Sequence, residues 1–247
     1  MPANVLILLD KSGSMGWRMS GGSSGISLPY DTTTDANGNL YVAQYSSYGI
    51  KKLEYANAKV DSSWGSNGTA KKGNCQTYYP YGIESAGGVL YAISWSNRRI
   101  VKIRESDGEC LGYINLGSAY PYNLSLFQNS AGRFIGVGTS RGYYLYNVNT
   151  GSARNCNVNS NLRYSYMVGA ADKNFSYMYS YRNNRIYRWQ FDNNGCPSGN
   201  AGSKRYNFGN SYGGLTVDPN NEQVLYHLSC LLYTSPSPRD ATLSRMP

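Results

Sequence analysis

The stretch DKSGS that begins at Asp10 offers the side chains best suited to chemistry in the first part of the chain. Asp10 supplies a carboxylate, and Ser12 and Ser14 supply hydroxyls at alternate positions. Hard cations prefer such oxygen ligands, and Gly13 allows the loop to curl around one ion. The apolar stretch Val5–Leu9 comes directly before it, which predicts a buried strand ending at a cation-binding loop. The alternative is a buried edge strand that ends in an ordinary Ser/Gly turn.

The same serines permit an enzyme interpretation. Residues 12–16, SGSMG, nearly match the GxSxG turn that exposes a nucleophilic serine after a strand. The first glycine of that pattern is missing, and His227 is the single histidine that could act as a base. We therefore favour cation binding over nucleophilic catalysis.

Five tyrosines form the second group of candidate site residues. They occupy the same position in successive similar stretches of the chain, at a spacing of roughly 40 to 50 residues. A tyrosine ring offers a large stacking surface at low entropic cost, so such rings around one face can form a binding collar. The alternative is structural packing against neighbouring strands. The five are Tyr30, Tyr81, Tyr122, Tyr166 and Tyr212.

The composition indicates short strands rather than helices. The 247 residues include 25 tyrosines and 28 glycines, and only 15% are charged. Such a sequence favours strands joined by Gly/Asn turns, because long helices need more Ala, Leu, Glu and Lys. The net charge of +9 permits anionic partners, although no run of basic residues concentrates it. No segment reaches the about 18 apolar residues that a membrane-spanning helix needs.

The stretches that contain the tyrosines share one pattern. A short strand follows each tyrosine, then a turn such as Asn37-Gly38 or Gly87-Gly88, then an apolar strand, a third strand and a weaker fourth. Four such units and a partial fifth are typical of a β-propeller with four-stranded blades. The apolar strands are predicted at Leu40–Ala43, Val89–Ile93, Phe134–Val137 and Tyr177–Tyr179.

This repeat resembles the NHL family of β-propellers. Its units run roughly as Pro-x-Gly-hydrophobic, then Asp-x-x-Gly-Asn-hydrophobic-Tyr-Val, then Asn-Arg-Ile-x-Lys. The matching stretches here are DANGNLYV from Asp35, PYGI from Pro80, NRRIVK from Asn97 and NRIYR from Asn184. The resemblance covers residues 25–230 and implies an all-β propeller, in a family that includes binding platforms and some enzymes.

The first stretch resembles another family, the von Willebrand factor type A (VWA) domain. Residues 4–15, NVLILLDKSGSM, look like the first strand and metal-binding loop of this α/β fold. The resemblance implies that Asp10, Ser12 and Ser14 hold Mg²⁺, directly or through water, and that an acidic group of a partner completes the octahedron. The family's later-loop ligands do not follow here, so we expect this chain to bind Mg²⁺ weakly or not at all.

The two resemblances together predict three segments. Residues 1–20 correspond to part of a VWA domain, residues 25–230 to an incomplete propeller inserted after its metal loop, and residues 231–247 to a tail. The fifth repeat stops after two strands and the tail shares nothing with it, so we expect a truncated chain. The tail resembles adapter-derived read-through, and a natural disordered tail is the alternative.

The five cysteines are scattered, and their odd number leaves at least one unpaired within the chain. Cys110, Cys156 and Cys196 each fall near a turn after a third strand, which places them at the outer rims of separate blades. A disulfide needs Cα atoms within about 7 Å. We therefore expect free thiols rather than a disulfide framework.

These features predict an extracellular or cell-surface binding protein and not an enzyme. The tyrosine collar, with Arg98, Arg99 and Arg185 around it, is expected to bind a protein or an anionic glycan. Single-stranded RNA could use the same features but is the less expected partner. The alternatives are a propeller hydrolase or lyase, which would need His, Glu or Asp ligands converging on the channel, and a structural spacer.

Overall fold

A computed structural model describes the middle of the chain as antiparallel β-sheets joined by turns, with a 3₁₀ turn at Gly73–Cys75. The all-β prediction is therefore confirmed for this part of the chain. The segments predicted as VWA-like and as a tail lie outside it. The described residues are 26, 29–44, 49–54, 59–71, 73–129, 132–156, 167–171, 177–182, 185–192, 194, 196–205, 215–218 and 221–227.

The described strands form five sheets, and within each sheet the strands follow one another in chain order. The first sheet contains β1 (Pro29–Thr34), β2 (Leu40–Gln44) and β3 (Gly49–Leu53). The second contains β4 (Ile83–Ala86), β5 (Val89–Ser94), β6 (Arg99–Arg104) and β7 (Cys110–Asn115). The third contains β8 (Pro121–Asn129), β9 (Gly132–Thr139), β10 (Tyr143–Asn147) and β11 (Ala153–Cys156). The fourth contains β12 (Met167–Ala171), β13 (Tyr177–Arg182), β14 (Arg185–Phe191) and β15 (Pro197–Arg205), and the fifth contains β16 (Leu215–Asp218) and β17 (Asn221–His227).

The first strand of each sheet contacts the first strand of the next. β1 contacts β4, β4 contacts β8, β8 contacts β12, and β12 contacts β16. The sheets therefore radiate from a shared row of inner strands, and the later strands of each sheet lie farther out. This is the arrangement of blades in a propeller-like fold. The predicted apolar strands are contained in β2, β5, β9 and β13, the second strand of each of the first four sheets.

An aspartate fixes the turn between β1 and β2. The Asp35 carboxylate accepts hydrogen bonds from the backbone N–H groups of Asn37 and Asn39, both at 2.9 Å. Gly38 adopts a φ of 82°, a conformation that favours glycine. The Tyr41 hydroxyl lies 3.1 Å from the same carboxylate. The Asp-x-x-Gly-Asn-hydrophobic-Tyr pattern therefore has a local cause, because the aspartate closes the turn and holds the tyrosine.

The hydrophobic core lies between neighbouring sheets. β5 is buried along nearly its whole length, because both faces of the second sheet meet another sheet. The outermost strand β7 instead alternates between exposed and half-buried residues. Three buried clusters fill the spaces between the first four sheets. They include Tyr41, Ile50, Trp64, Leu90 and Ile103 between the first and second, Ile93, Ile100, Leu124 and Ile135 between the second and third, and Phe134, Tyr143, Tyr187 and Trp189 between the third and fourth.

Trp64 and Tyr41 connect the first sheet to the second by hydrogen bonds as well as by packing. The Trp64 Nε1–H donates to the Glu105 carbonyl at 2.8 Å, and the Tyr41 hydroxyl lies 3.1 Å from that carbonyl. Burial, followed by the Asp35 carboxylate, raises the pKa of the Tyr41 hydroxyl well above its usual range. Tyr41 therefore remains a hydrogen-bond donor at this boundary.

The prediction of free thiols is wrong for four cysteines. Cys75 bonds to Cys110 and Cys156 bonds to Cys196, with Cα–Cα distances of 5.4 Å and 5.7 Å. Each bond joins the end of one sheet's outer segment to the next sheet, at Cys110 where the fourth strand begins or at Cys196 just before it. The prediction failed because it compared only the rims of separate blades. An outer segment ends beside the following sheet, where its cysteine can reach a partner.

Candidate functional site

The predicted tyrosines lie at one end of the sheets. Tyr30 lies in β1 and Tyr81 lies two residues before β4, while Tyr122 lies in β8. Because consecutive strands are antiparallel, the start of a first strand lies at the same end as the turn between the second and third strands. In the second sheet this turn is Trp95–Arg98. The fold therefore places the tyrosines and this turn on a common surface.

On this surface, aromatic side chains from the first two sheets and the start of the third contact one another. The ring centroids of Tyr30 and Tyr81 lie 4.7 Å apart, and Trp95 lies 6.1 Å from Tyr81, both pairs edge to face. Trp95 also contacts Tyr79 at 6.2 Å and Tyr120 at 4.8 Å. All five residues are partly exposed. We call Tyr30, Tyr79, Tyr81, Trp95 and Tyr120 the aromatic cluster.

Arginine adds positive charge to the aromatic cluster. The Arg98 guanidinium lies over the Tyr120 ring, 4.9 Å from its centroid, in a cation–π geometry. A guanidinium over a ring still has N–H donors in its own plane that can bind an anion. Arg99 instead lies over Tyr113 of β7, at 4.6 Å, and donates to the Gln76 carbonyl at 3.2 Å. Of the two, Arg98 belongs to the surface of the cluster.

Serine side chains hold the segments that carry the cluster. The Tyr78 N–H donates to Ser94 Oγ, and the Tyr120 N–H donates to Ser140 Oγ, both at 3.0 Å. Backbone bonds return from Trp95 to the Tyr78 carbonyl at 2.8 Å and from Ser140 to the Tyr120 carbonyl at 3.0 Å. The second and third sheets therefore share the same pair of hydrogen bonds. This pair fixes the chain entering each sheet to the end of the second strand.

Two residues at the cluster have an uncommon backbone conformation. Tyr79 has a φ of 53° and Arg98 has a φ of 52°. Residues other than glycine rarely adopt positive φ, and such positions gather at functional sites because the surrounding structure must maintain them. The backbone at this surface is therefore held in a fixed shape on both sides of Trp95.

Two carboxylates lie on the inner strands near the aromatic cluster. Asp31 of β1 accepts a hydrogen bond from the Ile83 N–H at 3.0 Å, and Glu84 of β4 accepts one from the Leu126 N–H. Each carboxylate thereby links its own sheet to the next. Part of the Glu84 residue is accessible, yet its carboxyl group is desolvated. Burial, followed by the Asp31 charge, raises the pKa of Glu84 to about 8.

The structure describes some of the predicted site residues, and others lie outside the described part of the chain. Tyr30 and Tyr81 are brought together, as the collar hypothesis requires, and Tyr122 is partly buried at the same end. The sequence did not predict Tyr79, Trp95 and Tyr120, because they lie beside the repeated position that Tyr30 and Tyr81 share. The SWSNRR stretch from Ser94 was the available signal, since it places a tryptophan and arginines in one turn. The predicted residues outside the described part are Asp10, Ser12, Ser14, Tyr166 and Tyr212, and the side chain of Arg185 is outside it too.

Within the ranges given above, no group of three or more His, Cys, Asp or Glu residues is arranged to hold a metal ion. Those same ranges contain no helix that is long and apolar enough to span a membrane.

Comparison with known proteins defines the class of fold. No protein-family model matches the chain, and no curated protein matches it. Hydrazine synthase from Kuenenia stuttgartiensis is structurally similar, with a TM-score of 0.59 and 11% identity, over 81% of this chain and 55% of that chain. A protein from Lactobacillus plantarum has a TM-score of 0.60 and 10% identity, over 82% of this chain and 64% of its own. Both are consistent with a β-propeller-like fold, and at such identities the similarity concerns the fold alone.

Proposed function

We propose that this chain is a binding protein of the cell surface or extracellular space, and that the aromatic cluster binds its ligand. The convergence of five partly exposed aromatic side chains at one end of neighbouring sheets supports this proposal most directly. Large rings with few rotatable bonds give contact area at low entropic cost. The serine and backbone bonds around Trp95 and Tyr120 order the surface before a ligand arrives, which reduces the cost of binding.

An anionic glycan is the ligand class that this surface fits best. Sugar rings have apolar C–H faces that can pack on Tyr120 and Trp95, whose planes are tilted by 35°. Arg98 lies against Tyr120 and can donate to a carboxylate or sulfate on the same sugar. An acidic peptide shares the anionic group but not the stacked rings, so a glycan uses more of the surface.

The disulfides support the proposed location. Two bonds among five cysteines form and persist in an oxidising compartment, and they are rare in cytosolic proteins. The VWA resemblance points the same way, because such domains act in adhesion.

The finer assignment rests on the sequence resemblances. We propose that the sheets are NHL-type blades, four complete and a fifth in part, inserted after the metal loop of a VWA domain. In the first blade, residues 59–71 take the place of a regular fourth strand, through bridges from Lys51 to Thr69 and from Leu53 to Val60. In the VWA part, Asp10, Ser12 and Ser14 would bind Mg²⁺ for a partner's carboxylate. Calorimetric titration of Mg²⁺ into the full-length protein and into its Asp10→Ala variant tests this, and equal affinities of the two would contradict it.

A titration with defined oligosaccharides tests the aromatic cluster. The probes are a sulfated glycosaminoglycan hexasaccharide, its desulfated counterpart and a glutamate-rich peptide. In Tyr120→Ala we expect affinity for the sulfated probe to fall roughly tenfold, the usual effect of removing a central aromatic contact. Tyr113→Ala is the matched control, because Tyr113 is 46% exposed and also stacks with an arginine, but on β7.

Arg98→Asn tests the charge separately from the rings. Asparagine tolerates positive φ, so this change removes the guanidinium without requiring a new backbone conformation. It should abolish the preference for the sulfated over the desulfated hexasaccharide. Circular dichroism confirms that each variant folds. If folded Tyr120→Ala and Arg98→Asn bind both sugars as the unmodified chain does, the aromatic cluster has a structural role and does not bind a glycan. If the unmodified chain binds only the peptide, the ligand is a protein and not a glycan.

A further inference from the structure

Asn67 begins the stretch Asn67-Gly68-Thr69, which has the Asn-x-Ser/Thr pattern of an N-glycosylation acceptor. The same pattern occurs at Asn123 and at Asn174. In a chain rich in Asn, Ser and Thr the pattern alone carries little weight. In the structure Asn67 and Asn123 have different surroundings, and Asn174 lies outside the described residues.

The Asn67 side chain is exposed at the tip of a tight turn. Ser66 and Thr69 exchange two backbone hydrogen bonds, of 2.7 Å and 3.2 Å, across Asn67 and Gly68. The φ values of 52° and 75° at the two central residues are those of a type I′ turn, for which Asn-Gly is the favoured pair. The turn geometry accounts for the residue types at Asn67 and Gly68. It uses only the backbone of Thr69, so it does not account for the threonine side chain.

Asn123 lies in a very different place. It belongs to β8, an inner strand, and its Oδ1 atom is buried. A half-buried side chain on an inner strand leaves less room for an oligosaccharide than a side chain at an exposed turn. The structure therefore favours a glycan at Asn67 over one at Asn123.

The disulfides supply an independent observation. The two bonds indicate an oxidising compartment, and in eukaryotic cells this is the compartment where asparagine-linked glycans are added. From the exposed turn, the half-buried position of the second acceptor and these bonds, we propose that Asn67 carries an N-linked glycan.

The transfer follows ordinary chemistry for this modification. The Nδ2 atom of Asn67 attacks the anomeric carbon of an oligosaccharide held on a lipid pyrophosphate, the donor of the cell's oligosaccharyltransferase. A bond forms between the anomeric carbon and Nδ2, and the bond between that carbon and the phosphate oxygen breaks. The lipid pyrophosphate leaves with the electron pair, and one amide proton passes to the enzyme's base. The Thr69 hydroxyl is the second recognition element.

The test uses the full chain, directed to the secretory pathway of an animal cell line by an added signal peptide. Protein is taken from both lysate and medium, treated with peptide-N-glycosidase in heavy-oxygen water and digested with trypsin. Cleavage after Lys59 and Lys71 releases residues 60–71, in which Asn67 is the only asparagine. Conversion of Asn67 to heavy-oxygen aspartate marks a former glycan. Ordinary deamidation before treatment incorporates normal oxygen and so gives a different mass.

Four variants test whether the heavy-oxygen label requires Asn67 and a hydroxyl at position 69. We expect the labelled peptide in the unmodified chain, in Thr69→Ser and in Asn123→Gln, and its loss in Thr69→Ala and Asn67→Gln. The Thr69→Ala change leaves the asparagine and the turn residues in place, so its loss of label depends on recognition and not on folding. Recovery of residues 60–71 without heavy-oxygen label from the unmodified chain, in both lysate and medium, would overturn the proposal.

Discussion

At the scale of single residues, Glu84 shows how the inner strands depend on pH. Its carboxyl accepts a hydrogen bond from the next sheet and is desolvated, with the Asp31 charge nearby. A pKa of about 8 in the folded chain, against 4.5 ordinarily, means that the native state keeps a proton which the unfolded state releases. The free energy of unfolding therefore falls as the pH rises between these two values.

Glu84→Gln should remove this pH dependence. Glutamine has the same shape without the charge, so we expect little change near about pH 4 and a stabilisation of about 1–2 kcal/mol near about pH 9. Urea denaturation at both pH values measures it. Glu109→Gln is the control, because the Glu109 side chain is 42% exposed and its carboxylate pairs with Lys71 at 2.7 Å. Equal stabilisation of the two variants at alkaline pH would contradict the assignment.

The sequence predicted part of the candidate site at this scale. The repeated position led to Tyr30 and Tyr81, whose rings do meet, because a repeated sequence position becomes a repeated spatial position in a fold of similar sheets. It did not lead to Tyr79 or Tyr120, whose contacts with Trp95 depend on turns that are particular to each sheet. Nor did it predict the inner carboxylates, which occupy different positions in their respective repeats. Asp31 is aligned with Gly82, not with Glu84.

At the scale of elements, the strands were the most predictable part of the molecule. Alternating apolar runs and Gly/Asn turns correctly placed β2, β5, β9 and β13. Residues 59–71 were not predicted, because they form isolated bridges and turns without a periodic pattern, although they contain the buried Trp64. Such a segment is stabilised by tertiary contacts, here with the second sheet, which a local pattern does not encode.

The turn at Asp35 should contribute measurably to stability. Asp35→Ala removes acceptors for two backbone N–H groups and a contact of the buried Tyr41 hydroxyl, so we expect a loss of about 1–3 kcal/mol. Asp107→Ala is the matched control, because Asp107 accepts one backbone N–H, from Glu109, and its side chain is 43% exposed. Chemical denaturation compares the two. A smaller loss for Asp35→Ala than for Asp107→Ala would show that the turn is not held in this way.

At the scale of the whole molecule, covalent bonds add to the packing between sheets. The five cysteines less the four in disulfides leave Cys230, which lies outside the described residues. Unfolded, unreduced protein should therefore react with one equivalent of a thiol reagent per chain, and reduced protein with five. Detection of three or more thiols before reduction would restore the prediction of free cysteines.

The bond from Cys75 to Cys110 should also stabilise the folded state. It closes a loop with a sequence separation of 35, so replacing both cysteines by serine should cost about 3–4 kcal/mol, as chain entropy predicts for loops of this size. Cys230→Ser is the control and should leave the free energy of unfolding nearly unchanged. Denaturation of the oxidised proteins measures both. Equal stability of the two variants would show that the bond contributes nothing.

The two disulfides also decide how the molecule would respond to a pulling force. The chain from Cys75 to Cys110 and from Cys156 to Cys196 lies within closed loops and cannot lengthen, while β8–β11 lie between the loops. Among the described residues, no disulfide crosses the boundary between the second and third sheets, and this boundary contains a cleft of about 90 Å³ lined by Leu116 and Tyr144. Under tension the third sheet can therefore be drawn out, as can β1–β3 and β15–β17, which also lie outside the loops, while the chain within each loop cannot lengthen. Reduction would release two further lengths of chain, so the extensibility of this protein depends on its redox surroundings.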